Sequence, residues 1–228
     1  MKLIGIVGTA LGDRPRVGVD QRYIDYFEQF GNTIIVDSRQ DGVIDKLDLL
    51  VLPGGPDVNT YRYGQAPERD CGYFSNALDR FDTEVLPRYI EIKMPIFGIC
   101  RGMQSLNVVF GGNLSQHIDT PTSSDEGEEV HCVKIEENDN FVLCGSNHHQ
   151  AVNKLGDDLI VTLSGYDIVK YKGRTLPDHQ RPLNIEGFRH KSLPIVAHQM
   201  HVEKAYSSNT CYQYVNYTNK VIQQLLGI

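Results

Sequence analysis

The fold is decided by residues 95–104, which read Pro-Ile-Phe-Gly-Ile-Cys-Arg-Gly-Met-Gln. A short apolar run ends at Ile99, and apolar residues at helical spacing begin at Met103 and continue with Leu106. Glycines two positions before and two positions after Cys100 are typical of a nucleophile elbow, a sharp turn where the backbone is strained and neighbouring segments pack closely. The pattern therefore predicts that Cys100 stands between a strand and a helix.

This position would suit a reactive thiol. The amino end of a helix offers free backbone N–H groups and a favourable field, both of which stabilise a thiolate and, later in a reaction, an oxyanion. The same residues also fit a buried cysteine in a core strand, with glycines that only turn the chain. The rest of the sequence has to separate these two interpretations.

Composition is typical of a soluble globular protein. The 228 residues allow one large α/β domain or two small ones, and 40% of them are hydrophobic while 22% are charged. The net charge is −7 and the Lys and Arg residues form no cluster. A surface for nucleic acid or for an anionic membrane is therefore not expected.

The first apolar run is too short for a signal peptide and is better interpreted as a first strand, and no stretch reaches membrane-spanning length. The five cysteines are odd in number and form no CxxC pair. This pattern argues against a disulfide framework and against a zinc site, and it favours a reducing compartment. We expect a cytoplasmic protein without a metal.

The first half of the chain alternates strands and helices. Apolar and β-branched runs predict strands, and helical spacing predicts helices, one of which should be kinked or split by Pro87. The predicted strands are 3–7, 33–36, 47–52 and the apolar run that leads to Cys100. The predicted helices are 19–30, with Gly31 as its C-cap, 76–94 and the helix after Cys100 up to Phe110. This order is typical of a mostly parallel sheet with helices on both faces and a site at the carboxyl ends of its strands.

The second half is less regular. We expect a polar loop at 59–75 and an acidic surface loop at 120–129, and short strands that extend the sheet after residue 130. These strands are 131–135, 159–163, 167–170, 183–188 and 195–199, before a mixed helical pattern at 205–226. No linker or repeat divides the chain, so residues 1–228 are predicted to form a single α/β domain.

A cysteine nucleophile needs a base and a group that orients the base. His201 follows a predicted strand, and Glu203 comes two residues later, on the same side if the segment is extended. The alternative for this pair is an ion pair on the surface. A second polar group lies at residues 146–150, Ser-Asn-His-His-Gln, which also fits a loop that hydrogen-bonds to itself.

Four motifs in order resemble the class I glutamine amidotransferase superfamily, and most closely its γ-glutamyl hydrolase-like branch, the peptidase C26 type. They are Pro-Gly-Gly-Pro-Asp at 53–57 with Tyr-Gly at 63–64, the elbow at 98–107 with Gly-Gly-Asn-Leu at 111–114, the loop at 146–151, and Gln-Met-His-Val-Glu at 199–203. The resemblance implies the flavodoxin-like fold of that superfamily. It spans residues 50–203, most of the chain.

The resemblance implies a role for each matched residue. Cys100 would be the thiolate nucleophile, His201 the general base and then acid, and Glu203 the carboxylate that orients it. The backbone N–H groups of Gly55 and Arg101 would form the oxyanion hole. Substrate contacts would come from Gly54, Gln104, Ser146, His148, His149 and Gln150. The reaction would need no metal and no organic cofactor.

Two residues depart from the family pattern. Val202 stands where the family has proline, and Met200 where it usually has an aromatic residue. Neither position carries a reacting group, so we expect an intact triad beside an altered wall. Since proline would fix the turn after His201, valine leaves the placement of His201 relative to Glu203 less constrained.

The leading functional hypothesis is a hydrolase that cleaves the γ-glutamyl amide bond of a small metabolite. One alternative is a glutaminase subunit that delivers ammonia from glutamine to a separate synthetase partner. Another is a catalytically inactive binding or regulatory module, and a redox-sensor role for Cys100 is a fourth. The sequence gives neither the leaving amine nor the oligomeric state, for which a homodimer stays open.

Overall fold

The computed structural model of the protein describes residues 1–10, 17–118, 129–171 and 174–228, with side chains at all of these positions except 10, 129–131, 146, 167–171 and 174–183. The acidic loop predicted at 120–129 lies outside the described residues, apart from its last position. The strands are β1 (Leu3–Ala10), β2 (Val17–Gly18), β3 (Asn32–Asp37), β4 (Leu49–Leu52), β5 (Ile96–Ile99), β6 (Asn113–Ser115), β7 (Glu129–Ile135), β8 (Asn140–Ser146), β9 (Ala151–Lys154), β10 (Leu159–Tyr171), β11 (Arg174–His190) and β12 (Ile195–His198). The helices are α1 (Gln21–Phe27), α2 (Asn76–Arg80), α3 (Leu86–Glu91), α4 (Arg101–Val109), α5 (Val202–Ser207) and α6 (Tyr212–Leu226).

The strands of the described residues form one sheet, whose centre is parallel. Its main path is β2-β1-β4-β5-β12-β11-β10-β7-β8, and β3 pairs with β1. The pairs β1–β3, β1–β4, β4–β5 and β5–β12 are parallel. Every residue of β4 and of β5 is buried, as expected for central strands that are covered on both faces.

The strands after residue 130 extend this sheet with antiparallel pairs, as predicted. β12 pairs with β11, β11 with β10, β10 with β7, and β7 with β8. The segments 159–163 and 167–170, predicted as two strands, belong to the single strand β10. The register of β10 against β11 shifts at several positions, so bulges interrupt the apolar alternation that a regular strand would show.

Helices cover both faces, so the predicted α/β architecture is confirmed. Alternate residues of β4 point to opposite sides: Leu49 and Val51 pack with α1, α5 and α6, while Leu50 and Leu52 pack with α2, α3 and α4. Cys100, Pro53 and residue 199 follow the carboxyl ends of β5, β4 and β12. Since those three strands are parallel neighbours, the segments that follow them meet at one edge of the sheet.

Pro87 splits the second predicted helix. α2 ends at Arg80 and α3 begins at Leu86, and between them Phe81–Val85 form a π-helical turn in which the Leu86 N–H donates to the Phe81 carbonyl. Proline has no N–H, and in a regular α-helix its ring would clash with the carbonyl four residues earlier. The wider turn accommodates the proline, which stands in the first turn of α3.

Three helix boundaries differ from the prediction. α1 is capped by the Asp20 side chain and ends at Phe27 with Glu28 as its C-cap, so Gly31 is not the cap. Glycine at 31 instead lets the chain pass the Lys2 carbonyl, since a Cβ there would lie 2.4 Å from that oxygen. The predicted helix 76–94 ends at Glu91. The segment 205–226 is two helices, because Asn209 and Cys211 both have positive φ and break it.

Among the described residues, no helix has the length and apolar character needed to cross a bilayer.

Candidate active site

Cys100 forms the turn between β5 and α4, with φ 51° and ψ −108°. The turn is forced by close packing on both sides: a Cβ on Gly102 would lie 2.1 Å from the Leu52 carbonyl oxygen, and a Cβ on Gly98 would lie 2.9 Å from the Gly102 backbone. A non-glycine residue at positive φ is strained and persists only when its surroundings hold it there. The predicted elbow geometry is therefore present, with the thiol at the amino end of α4.

His201 and Glu203 are brought together by the start of α5. His201 is the N-cap residue, and Glu203 lies in the first helical turn, where its Oε1 accepts a hydrogen bond of 2.5 Å from His201 Nδ1. The segment is thus a turn into a helix and not an extended strand, and the two side chains meet in this conformation. Val202 and Met200, the two departures from the family pattern, are fully buried and pack in the core beside them.

Cys100 is the other partner of His201. Burial alone would lower the pKa of His201, but the charge and hydrogen bond of Cys100, followed by those of Glu203, raise it to about 10. Since Nδ1 bonds to Glu203, the Nε2 side of the ring is left for the thiol. A thiol that faces an imidazole, whose other nitrogen bonds to a carboxylate, is the arrangement of a cysteine nucleophile and its base.

Tyr23, which lies in α1 within the predicted helix 19–30, also reaches this cluster. Its hydroxyl accepts a 2.9 Å hydrogen bond from the Gly54 N–H and lies 3.4 Å from His201 Nδ1. Burial, and then the negative charge of Glu203, raise the pKa of Tyr23 well above its ordinary value. The neutral phenol thus joins the glycine loop to the His201–Glu203 pair. Helical spacing could not reveal this, because Tyr23 also fits the apolar face.

The two glycines of the loop after β4 have different neighbours. A Cβ on Gly54 would lie 2.8 Å from His201 Cε1, and a Cβ on Gly55 would lie 3.1 Å from Arg101 Cδ. Gly54 donates its N–H to Tyr23, so that group is already engaged. Gly55 lies beside the first residue of α4, whose N–H has no partner within its own helix. The structure therefore brings the two predicted oxyanion donors, Gly55 and Arg101, into adjacent positions.

Buried amides form the next part of the site. Gln104 donates from Nε2 to the Gln150 carbonyl at 3.1 Å and to Gln199 Oε1 at 3.2 Å. His148 Nδ1 lies 2.8 Å from the same Gln150 carbonyl, and its Nε2 lies 3.8 Å from Glu186 Oε1. The predicted contacts Gln104, His148 and Gln150 are thus clustered. The sequence analysis quoted Gln199 in the last motif without a role and missed the buried Glu186.

His149 stands at the rim. Its Nε2 lies 3.0 Å from Asp57 Oδ1, and Asp57 Oδ2 also accepts the Gly72 N–H at 2.7 Å. Asp57, the last residue of the glycine motif, therefore joins that motif to the loop at 146–150 and to residue 72. The side chain of Ser146 lies outside the described residues. Asp57 was quoted in the sequence motif but received no role, because its partners are distant in sequence.

All five cysteines are free thiols. Among the described residues, no group of three or more His, Cys, Asp and Glu side chains is arranged to hold a metal ion.

A family model described as Peptidase C26 matches residues 4–169. The chain belongs to the Peptidase C26 family. The glutamine amidotransferase-like YvdE homolog of Lactococcus lactis subsp. cremoris is 32% identical over 188 residues, which are 70% of this chain and 99% of that protein. The γ-glutamyl-γ-aminobutyrate hydrolase PuuD of Escherichia coli is 35% identical over 85 residues, which are 36% of this chain and 32% of that protein.

The fold of this C26 chain also matches a solved structure. A glutamine amidotransferase from Thermotoga maritima superposes with a TM-score of 0.55 and covers 99% of this chain and 88% of its own, at 14% identity. Together with the family match, this likeness confirms the resemblance to the class I glutamine amidotransferase superfamily that the four sequence motifs indicated, and confirms its α/β fold. The coarse activity class that follows is that of a hydrolase or amidotransferase.

Proposed function

We propose that the protein is a cysteine hydrolase that cleaves the γ-glutamyl amide bond of a small metabolite through a γ-glutamyl thioester on Cys100. The observation that carries this proposal is the pairing of His201 with both Glu203 and Cys100 at the elbow. The names of both relatives support the substrate class, because glutamine is itself a γ-glutamyl amide.

In the first half of the reaction, the Cys100 thiolate attacks the γ-carbonyl carbon and the carbonyl oxygen becomes an oxyanion. The N–H groups of Gly55 and Arg101 stabilise this oxyanion. The tetrahedral intermediate then collapses to the thioester as the C–N bond breaks. The protonated His201 gives its Nε2 proton to the departing amine, and Glu203 holds the ring through Nδ1.

In the second half, His201 is neutral and takes a proton from water as the water attacks the thioester. The C–S bond breaks, the thiolate of Cys100 is regenerated beside the protonated His201, and glutamate leaves. No redox step occurs. A cytoplasmic location stays a prediction from the cysteine pattern, and so does the single-domain organisation of residues 1–228.

The first experiment is covalent labelling by a glutamine analogue that carries a diazo-ketone, read by intact mass and peptide mapping. We expect one label per chain, on Cys100, in the wild type and in Cys211→Ser, and none in Cys100→Ala. Cys211 is a suitable control because it is the N-cap residue of α6 and belongs to none of the four sequence motifs. A folded wild type that takes up no label would contradict the proposal and would favour the inactive binding module.

The second experiment separates hydrolase from amidotransferase subunit. The isolated chain is offered glutamine and a panel of γ-glutamyl amines, and released glutamate is measured, with Cys100→Ala as the blank. We expect turnover of at least one γ-glutamyl amine to exceed turnover of glutamine. Slow turnover of every amine, combined with labelled Cys100, would instead support the ammonia-donating subunit and its synthetase partner.

A further inference from the structure

Arg101, the residue after Cys100, belongs to a buried network of four charged side chains. Arg101 Nη1 lies 2.9 Å from Asp82 Oδ2, and Arg101 Nη2 lies 3.1 Å from Asp79 Oδ1. Arg62 Nη1 lies 2.9 Å from the same Asp82 oxygen and 3.8 Å from Asp79. Two cations thus balance two anions, and the side chains of Arg101 and Asp82 are only 4% and 3% exposed.

The network depends on an irregular piece of backbone. Asp79 is in α2 and Asp82 is in the π-helical turn that precedes Pro87, while Arg62 comes from a short 3-10 turn, Thr60–Tyr63. A π-turn rotates the side chains that follow it relative to a regular α-helix, and such turns occur frequently at functional sites. Pro87 therefore bears on the site, because the turn it requires contains the carboxylate shared by both arginines.

The two ion pairs of Arg101 fix the orientation of its side chain. Arg101 uses its two terminal nitrogens on two different carboxylates, so its planar group is fixed in orientation as well as position. Arg101 is also the first residue of α4 and the immediate neighbour of Cys100. Its Cδ packs against Gly55, where a Cβ would come within 3.1 Å.

We propose that Arg62, Asp79 and Asp82 are positioning residues for catalysis, which hold Arg101 so that its backbone N–H and that of Gly55 converge on one oxyanion. The inference rests on the proposed function, since it assigns how the oxyanion hole of that reaction is held. The side chain of Arg101 faces the two aspartates. Its guanidinium therefore anchors the residue whose backbone N–H is the oxyanion donor, and does not touch the substrate. A misplacement well under 1 Å is enough to weaken such a donor.

A purely structural network would give a different result on substitution. Loss of one member leaves a buried charge without its partner, which lowers stability in either case. Only a positioning role would also lower the rate of the folded enzyme at the step that needs the oxyanion hole. Alkylation of Cys100 by iodoacetamide forms no oxyanion, so it reports thiolate reactivity alone.

The test compares Asp82→Asn with Glu84→Gln, since Glu84 lies in the same π-turn with 62% of its side chain exposed. Folded enzyme is quantified by diazo-ketone labelling, and kcat is measured with the γ-glutamyl amine that the wild type cleaves fastest. For Asp82→Asn we expect kcat to fall by about tenfold to hundredfold, less than the full loss of an oxyanion donor. KM and the iodoacetamide rate should stay within about twofold, and Glu84→Gln should match the wild type.

The milder variant Arg62→Lys keeps the charge but loses the planar fork, and we expect a smaller fall in kcat with the same unchanged alkylation rate. An Asp82→Asn enzyme with wild-type kcat would overturn the proposal, and so would a parallel fall in kcat and alkylation. If neither variant folds, the network is assigned to stability alone and the proposal also fails. A wild type that cleaves no γ-glutamyl amide is a separate outcome, because it contradicts the proposed function and not the positioning.

Discussion

His198 is the last residue of β12 and His201 follows three residues later, but the surroundings of the two imidazoles differ. His198 is fully buried among neutral groups: its ring packs against Phe97 at 5.1 Å and Tyr217 at 5.8 Å, and its Nδ1 lies 3.3 Å from the Tyr214 hydroxyl. Burial lowers the pKa of His198 to about 3. His201 is largely enclosed, with 11% of its side chain exposed, but Cys100 and Glu203 raise its pKa to about 10.

The difference shows that the charges beside an imidazole, and not burial alone, decide its protonation state. His198 is neutral at pH 7 and contributes to the core, whereas His201 is positively charged and able to donate a proton. In the sequence, His198 lies within the predicted strand 195–199 and His201 lies two residues after its end. What separates them is a thiol from the elbow and a carboxylate from the first turn of α5.

The largest expected effect comes from removing the charge of Glu203. In Glu203→Gln the side chain keeps its shape, but His201 loses the anion that orients and charges it. Loss of an orienting carboxylate costs about 10⁴-fold in kcat in other triads. Hydrolysis of the best γ-glutamyl amine is measured, with Glu91→Gln as the matched exposed control. A variant within about threefold of the wild type would remove Glu203 from the mechanism.

The second prediction concerns both imidazoles in one titration. In Cys100→Ala the pKa of His201 should fall, because the charge and hydrogen bond of Cys100 are gone, while the pKa of His198 should stay near 3. NMR spectra of ring-labelled histidine follow both rings across the pH range. If the His201 titration does not change on removal of the thiol, the proposed ion pair between Cys100 and His201 is absent.

These two shifts also have opposite consequences for stability. For His198 the folded pKa lies below the ordinary value of 6.5, so its contribution is present above pH 6.5 and is lost as the pH falls toward 3. For His201 the folded pKa lies above 6.5, so its contribution is present below pH 6.5 and is lost as the pH rises through 10.

Urea unfolding at several pH values tests the first of these slopes. The difference in unfolding free energy between the wild type and His198→Gln should change by about 1.4 kcal/mol per pH unit below pH 6.5, with the wild type losing stability as acid is added. Above pH 6.5 the difference should be constant. A constant difference at all pH values would mean that His198 titrates normally in the folded protein.

The parallel centre of the sheet was predictable because it is apolar on both faces. The runs at Leu49–Leu52 and Ile96–Ile99 contain only buried residues, so they stand out from the sequence. β8 and β9 were not predicted, because each strand is partly exposed to solvent and carries polar residues such as Asn140 and Lys154. These residues interrupt the apolar pattern from which a strand is predicted. Bulges hid the continuity of β10 in the same way.

The proposed reacting residues of the site were predictable from motifs, and their partners were not. Cys100, His201 and Glu203 each belong to a short motif. Tyr23 and Asp82 lie in helical segments beside buried apolar residues, where helical spacing predicts packing and no role in the site. Asp82 did carry one signal. A carboxylate three residues from Asp79 on a face that is otherwise apolar requires a buried cation, and Arg101 was available in the elbow.

The smallest expected effect is that of the Tyr23 hydroxyl. In Tyr23→Phe the buried Gly54 N–H loses its acceptor, a loss of about 1 kcal/mol that corresponds to about fivefold in rate if all of it falls on the transition state. The exposed Tyr212→Phe is the control. We expect kcat/KM to fall while the two histidine titrations keep their order. A variant with unchanged kcat/KM would restrict Tyr23 to packing.

The most direct test of the central claim is to trap the acyl-enzyme. The protein is mixed with a γ-glutamyl amine that it cleaves slowly, quenched in acid at increasing times, and analysed by mass spectrometry of its peptides. We predict one glutamyl group on the peptide that contains Cys100, which forms and decays with turnover and is absent in Cys100→Ala. Turnover without any glutamyl adduct on Cys100, or with the adduct on another residue, would contradict the account.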